Sequence, residues 1–520
     1  MKKLYLFTAL LLVFGCTDLD VEPQSTSTSE VVFSDESAYL SFLAKIYAGI
    51  SVTGQQGPTG DPDILGVDEG FSNYLRQYWQ LQELTTDEST LRWGDEGLPD
   101  LHYQSWTSAN QFVRATYDRI FYLITIANEF LRETTPDKLE SRNVTPSLRD
   151  EIEIFRGEAR FLRALSYWHG IDLYGNIPFF DEATGIGSDA PNQATRSEVF
   201  DFLVSELTAL EAILPGPGQN DYGRADMGAV WMLQAKLFLN AEVYTGTARY
   251  GEAITAVDRI IQSGAYSLNP VYQNNFTADN NLSPEIIFPI TFDGVNTHTW
   301  GGMTYLVHAS LGDTTEPTEF GVDNGWNGLR TTSALVDRFP DETGTIDSRA
   351  IFFTAGHTKE ITDFFAWTSG YPVPKFRNVT SEGQMGSSLI HPDTDFPMFR
   401  LADAYLMYAE AVVRGGGGNM GTAVGYVNEL RERAYGNTNG NITAADLTLD
   451  FLLDERSREL YYEAHRRTDL VRFGQFSTGS TWPWKGNVPA GVATDGFLDL
   501  FPIPSTELLA NTNLTQNPGY

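Results

Sequence analysis

Cysteine is almost absent from this chain. Cys16 is the only one in 520 residues, so no disulfide within the chain can brace the fold, and stability must come from a packed core. Basic residues are scarce too: 35 Lys and Arg stand against 68 Asp and Glu, a formal net charge of −33. That balance excludes the basic stripes that grip phosphates, so no nucleic-acid partner is expected. The histidines are few and scattered, at His102, His169, His298, His308, His357, His391 and His465, with no pair at the spacing of a helical metal site. No glycine loop followed by Lys cradles a phosphate. Beyond the N-terminus no apolar run is long enough to cross a bilayer. With 68 acidic residues a carboxylate pair at glycosidase separation can always be imagined, but no recognisable nucleophile or metal signature accompanies one. A binding protein is expected, not an enzyme, and no cofactor is required.

At the N-terminus, Lys2 and Lys3 precede an apolar run from Leu4 to Phe14, and Gly15 stands directly before Cys16. A short basic segment followed by a short apolar one reads as a signal peptide over 1–15. A small residue before a lone cysteine is the pattern of a bacterial lipoprotein, with Cys16 acylated and the acyl chains as the anchor. Phe14 departs from that pattern, which usually has a smaller residue there. Residues 16–30 are polar and rich in Ser and Thr, as suits a flexible tether. Asp18, Asp20 and Glu22 resemble the acidic export tag of surface lipoproteins in Bacteroidetes.

Helical periodicity dominates the rest, read as one domain over 31–520 with an N-terminal region to about 265 and a C-terminal region from about 266. Val230, Leu233, Leu237, Ala241 and Tyr244 form one apolar stripe, and Ile254, Val257 and Ile261 form a second before Gly264. A similar pair spans 399–414 and 420–436 around a run of four glycines, and a long helix covers Leu148 to about Tyr174. Such hairpins are of tetratricopeptide type and stack into a scaffold. Between them lie stretches rich in Gly, Asn, Pro and aromatics, chiefly 53–107, 266–332 and 475–500. These predict long irregular loops that carry function.

Four segments, "EARFLRALSYWHGIDLYGNIPF" (158–179), "RLADAYLMYAEA" (400–411), "DERSRELYYEAHRRTDLVRFG" (454–474) and the terminal "LFPIPSTELLANTNLTQNPGY", resemble the hallmark segments of the SusD/RagB family. The resemblance implies a mainly α fold with tetratricopeptide-like hairpins, a place on the outer face of the outer membrane, and a SusC-like TonB-dependent transporter as partner. His169 and His465 lie within these segments and read as packing residues. Stretches outside the hallmarks, among them "GDPDILGVDEG" (60–70) and "DGVNTHTWGGMTYLV" (293–307), resemble the family's starch-binding founding member more closely. That likeness implies an α-glucan ligand, with capture of another glycan, or of peptides as in the RagB branch, as the alternative.

A sugar offers an apolar face to an aromatic ring and an edge of hydroxyls to planar polar groups. The resemblance places an aromatic arc on Trp93, Trp300 and Trp326, each beside a glycine that gives the ring room. It places polar contacts on Arg76, whose guanidinium fork can donate to two neighbouring hydroxyls, and on Asp68. Where the founding member has an asparagine, this chain has Asp95 and Glu96, which can accept but not donate. A structural calcium ion near "ADNNLSPE" (278–285), with Asp279 as the candidate ligand, completes the expectations.

Overall fold

The computed structural model describes residues 29–520 except 61 and 186. The signal peptide and Cys16 lie outside the described residues. Of the tether, only Ser29 and Glu30 are described, and they open a short helical turn, Ser29–Val32.

Eight helices build the scaffold: α1 (Ser37–Ser51), α2 (Gln111–Glu133), α3 (Pro146–Tyr174), α4 (Arg196–Leu210), α5 (Met227–Leu239), α6 (Tyr250–Ser263), α7 (Leu401–Val413) and α8 (Met420–Tyr435). Each packs against the next in order, giving four successive helix pairs, of which α5–α6 and α7–α8 are the two that the periodicity predicts. Local sequence sets their ends. Asn110 caps α2 by accepting from the amides of Phe112 and Val113, Thr145 and Pro146 open α3, and Thr195 with Glu198 forms a capping box on α4. The α7–α8 turn needs its glycine run. Gly415, Gly417 and Gly418 have positive φ, and a Cβ on Gly416 would come within 2.6 Å of Tyr250 Cβ. Among the described residues no helix is long and apolar enough to cross a membrane.

The structure departs from the sequence reading in three places, one of them 266–332, which holds the strand Ile286–Ile290 and the helix Gly302–Ala309 instead of one long loop. The stripe from Val230 to Tyr244 is not one helix. It breaks at Asn240, whose amide donates back to the Lys236 carbonyl at 2.8 Å while its oxygen accepts from Arg472 at 2.9 Å. Nor is 53–107 one long loop. Within it, Ser72 to Leu91 is buried throughout and contains the helix Tyr74–Trp79, continued by a π turn over Gln80–Leu84. Several of its polar groups find partners remote in sequence: Trp79 Nε1 donates to the Tyr462 carbonyl at 2.8 Å, Gln82 Nε2 to Asp172 at 3.1 Å, and Glu83 accepts from the Ala464 amide at 2.7 Å. A helix so rich in Gln and Glu reads as a loop because its partners are remote in sequence.

Hallmark segments 158–179, with Asp172, and 454–474 supply those partners. Arg466 bonds Asp87 at 2.8 Å, and Arg456 bridges Asp403 and Asp469 at 2.9 and 2.7 Å, all buried. His169 is a packing residue as expected, stacked on Tyr78 at 3.8 Å with Nδ1 2.8 Å from the Tyr74 hydroxyl. Burial pushes its imidazole down to about 3, from an ordinary value of 6.5. The unfolded chain therefore takes up this proton first. Stability should fall as pH drops below 6.5, by about 2 kcal/mol at pH 5 from this residue alone. Urea midpoints between pH 7 and pH 5 would show it, and an equally steep slope in His169→Gln would refute the assignment.

Two small antiparallel sheets tie distant loops together. β1 (Ser89–Leu91) pairs with β3 (Leu329–Thr331), Thr90 opposite Arg330, and β2 (Ile286–Ile290) pairs with β4 (Phe396–Arg400). The first of these matters most for the surface described next, because one tryptophan follows β1 and another precedes β3.

Candidate functional site

Trp93 leaves β1 two residues after Leu91, and Trp326 enters β3 three residues before Leu329. Strand pairing thus brings together two rings 233 residues apart in sequence, and Trp93 Nε1 donates to the Trp326 carbonyl at 3.2 Å. The ring centroids of Trp93 and Trp326 lie 6.3 Å apart with planes at 41°. Trp300, just before the buried helix Gly302–Ala309, lies 6.4 Å from Trp326 at 59°. All three rings are half-buried. The expected arc is therefore a contiguous ledge, with Trp326 in the middle and the planes turning from one ring to the next.

The glycines beside the rings do different work. A Cβ on Gly325 would sit 2.5 Å from the Gly312 backbone, and one on Gly301 would meet Asn73 at 2.1 Å, so both allow close backbone approach. Gly328, not singled out from sequence, faces Trp93: a Cβ there would lie 2.9 Å from the indole. Gly94 is under no such pressure, its nearest neighbour being the Phe365 ring at 3.9 Å.

Histidines back the ledge. His308 stacks under Trp326 at 4.9 Å and 24°, with Nδ1 and Nε2 within 2.8 and 2.9 Å of the carbonyls of Asn324 and Ile390. His391 lies 5.1 Å from Trp300 and is itself stacked by His298 at 4.6 Å. Burial, with His298 and His308 beside it, pushes the His391 imidazole down to about 4, so this support is neutral at ordinary pH. Nothing in the sequence spacing of these three histidines signals that they converge.

Arg76 lies beneath the ledge, not upon it. It is 3% exposed, and its guanidinium carbon is 4.2 Å from the Tyr305 ring centroid, 4.4 Å from Phe71 and 5.8 Å from Trp93. Nη1 donates to the carbonyls of Gly70 and Trp300 at 3.0 and 3.4 Å, while Nε and Nη2 have no partner among the described residues. Burial lowers it to about 10, against the pull of Tyr305, Asp68 and Asp95. Its visible work is to join the segment bearing Asp68 to the one bearing Trp300. Asp68, Asp95 and Glu96 are exposed. Asp68 accepts from the Gly70 amide at 3.0 Å, and the Glu96 carbonyl accepts from Gln111 at 2.8 Å, which fixes this rim to the start of α2.

Asp279 stands apart from the ledge. Its carboxylate accepts from the Ser381 amide and hydroxyl at 2.8 and 2.6 Å and from the Thr277 hydroxyl at 2.8 Å. Desolvation would raise its pKa, but these hydrogen bonds hold it below the usual value. Among the described residues no group of three or more His, Cys, Asp or Glu is arranged to hold a metal ion.

The fold and the ledge can be set beside known proteins. The SusD family model matches residues 355–520. The chain is 35% identical to the starch-binding protein SusD of Bacteroides thetaiotaomicron, across 99% of this chain and 98% of that one. It is 24% identical to SusD-like protein P2 of Formosa agariphila, over 100% of this chain and 99% of the relative. Among solved structures, the surface glycan-binding protein A from Bacteroides fluxus superposes with a TM-score of 0.72 at 20% identity, covering 94% of this chain and all of that one. The same-named protein from B. thetaiotaomicron in complex with laminarihexaose gives 0.69 at 19% identity, covering 92% of this chain and 98% of that one. This chain belongs to the SusD family, and with it to a class of binding proteins that are not enzymes. The segment matched by the family model begins after Trp326, so it describes scaffold and buried ion pairs and leaves the ledge to speak for the ligand.

Proposed function

We propose that the chain captures an α-glucan, starch or malto-oligosaccharides, on the ledge of Trp93, Trp326 and Trp300, and hands it to a SusC-like TonB-dependent transporter in the outer membrane. Acyl chains on Cys16 hold it at the cell surface. The observation that carries this reading is the turning of the three indoles, 41° and then 59°, at nearly equal spacing. An α-linked glucan curves, and successive apolar sugar faces meet a platform that curves with them; a straight chain meets only part of it. Kinship with a protein named for starch binding points the same way. Asp68, Asp95 and Glu96 supply acceptors along the rim.

Affinity electrophoresis in starch, pullulan, dextran, laminarin and levan tests this directly. Starch and pullulan should retard the protein. Retardation by laminarin or levan alone would overturn the α-glucan assignment and leave the same capture role with another glycan. Fatty-acid labelling that is lost in Cys16→Ser, and co-purification with an outer-membrane barrel, check the anchor and the partner.

A further inference from the structure

Near Trp93 lies a further and more exposed aromatic ring: a Cβ on the adjacent Gly94 would come within 3.9 Å of Phe365. Phe365 is 48% exposed, whereas its neighbour Phe364 is 2% exposed and packs against His102, Tyr103 and Trp484. A free loop would be expected to turn both rings inward, since burying apolar area is favourable. Here the backbone prevents it. The buried Arg330 donates to the carbonyls of Phe364, Ala366 and Ser369 at 2.6, 2.7 and 2.5 Å, and Arg92 donates to the carbonyl of Phe365 at 3.3 Å. Three consecutive carbonyls, 364 to 366, are thus clamped by arginines. Arg330 sits in β3 opposite Thr90 of β1, and Arg92 directly precedes Trp93. One small sheet therefore fixes both Trp93 and Phe365. Between the two rings lies Gly94, where neither a positive φ nor crowding demands glycine. Its missing side chain leaves the floor between Trp93 and Phe365 open.

We propose that Phe365 is an outer stacking subsite that extends the ledge past Trp93 and takes the sugar unit following those held by the three indoles. This rests on the glycan reading above and adds to it a preference for longer chains. Charge-assisted bonds order the backbone that carries Phe365 before a ligand arrives, which lowers the entropic cost of using this loop as a contact.

Isothermal titration with maltotriose and maltoheptaose, on the wild type and on Phe365→Ala, separates the possibilities. Maltotriose, which the three indoles can hold alone, should bind Phe365→Ala as it binds the wild type. Maltoheptaose should lose about 5- to 30-fold, the effect of one aromatic anchor. Phe365→Tyr, which keeps the ring, should restore it, and Gly94→Leu, which fills the floor, should reproduce the loss for the longer ligand. Equal affinities for maltoheptaose in wild type and Phe365→Ala, or an equal loss on both ligands, would overturn the subsite while leaving the ledge intact. A wild type that binds neither ligand would overturn the α-glucan reading and the subsite with it.

Discussion

Trp326→Ala should weaken glucan binding more than either Trp93→Ala or Trp300→Ala, and the triple replacement should leave no measurable retention on starch. The reason is position. Trp326 lies within 6.4 Å of both other rings, which have no direct stacking contact with each other. Its removal divides one platform into two isolated rings, so a ligand spanning them loses the central contact and the register between the outer two. A central aromatic anchor is worth about 2 kcal/mol or more, roughly 30-fold in affinity. Each terminal ring should cost less, because a bound chain can slide toward the remaining pair. The fold should tolerate the change: Trp326 is half-buried, and the bonds that join this region, from its own amide to the His308 carbonyl and from Trp93 to its carbonyl, involve its backbone. Titration with maltoheptaose, alongside thermal melts, gives the answer. A triple variant that still binds like the wild type would mean that recognition resides in the transporter and that this chain is a lid only.

The ledge was legible in the sequence as a set of residues but not as an arrangement. The three tryptophans are marked out by resemblance to the family, and the structure leaves each ring half-buried. Which ring lies in the middle is decided by β1 pairing with β3, three-residue strands that leave no periodic trace. The histidines that back the rings, and Phe365, leave no such signal: His308 sits in the helix Gly302–Ala309, His391 and Phe365 in loops remote from it in sequence, and only the folded chain brings them near one surface. Arg76, expected as a polar contact, lies beneath the rings because Phe71 and Tyr305 close over it, contacts that resemblance to a motif does not supply. The scaffold was the easier part. Amphipathic stripes of ten or more residues, closed by Gly264 or opened by Thr195 and Asn110, state helix positions almost outright. Over 74–84 the buried apolar residues Leu75, Tyr78, Trp79, Leu81 and Leu84 are interleaved with equally buried Arg76, Gln77, Gln80, Gln82 and Glu83, and that polar half of the core masks the helix in the sequence.

That polar core carries the other large expected effect. Arg400, at the end of β4, is 1% exposed and uses every donor it has. It bonds Glu463 through Nε, Glu285 and Glu459 through Nη1, and Glu463 again with the Glu459 carbonyl through Nη2, at 2.5 to 2.8 Å. All three glutamates are fully buried and are shared with Arg349, Lys375 and Arg433. Despite the desolvation that opposes it, the surrounding guanidinium groups hold the Glu459 carboxyl far below its usual range, so it stays charged in the folded chain. Arg400→Met keeps the bulk but leaves three buried carboxylates one cation short, and should cost about 3–5 kcal/mol, read as a drop in urea midpoint. Arg400→Met with Glu463→Gln should recover part of that loss, because the charge left behind, more than the missing bonds, is what destabilises the single variant. Two losses that simply add would show that the carboxylates act independently. The coupling also bears on the ledge. Glu459 and Glu463 lie in the segment whose Tyr462 carbonyl anchors Trp79, in the buried helix that carries Arg76 beneath Trp93 and Trp300. Strain in the ionic core should therefore reach glucan affinity through Arg76, and Arg400→Met should bind more weakly even under conditions where it remains folded.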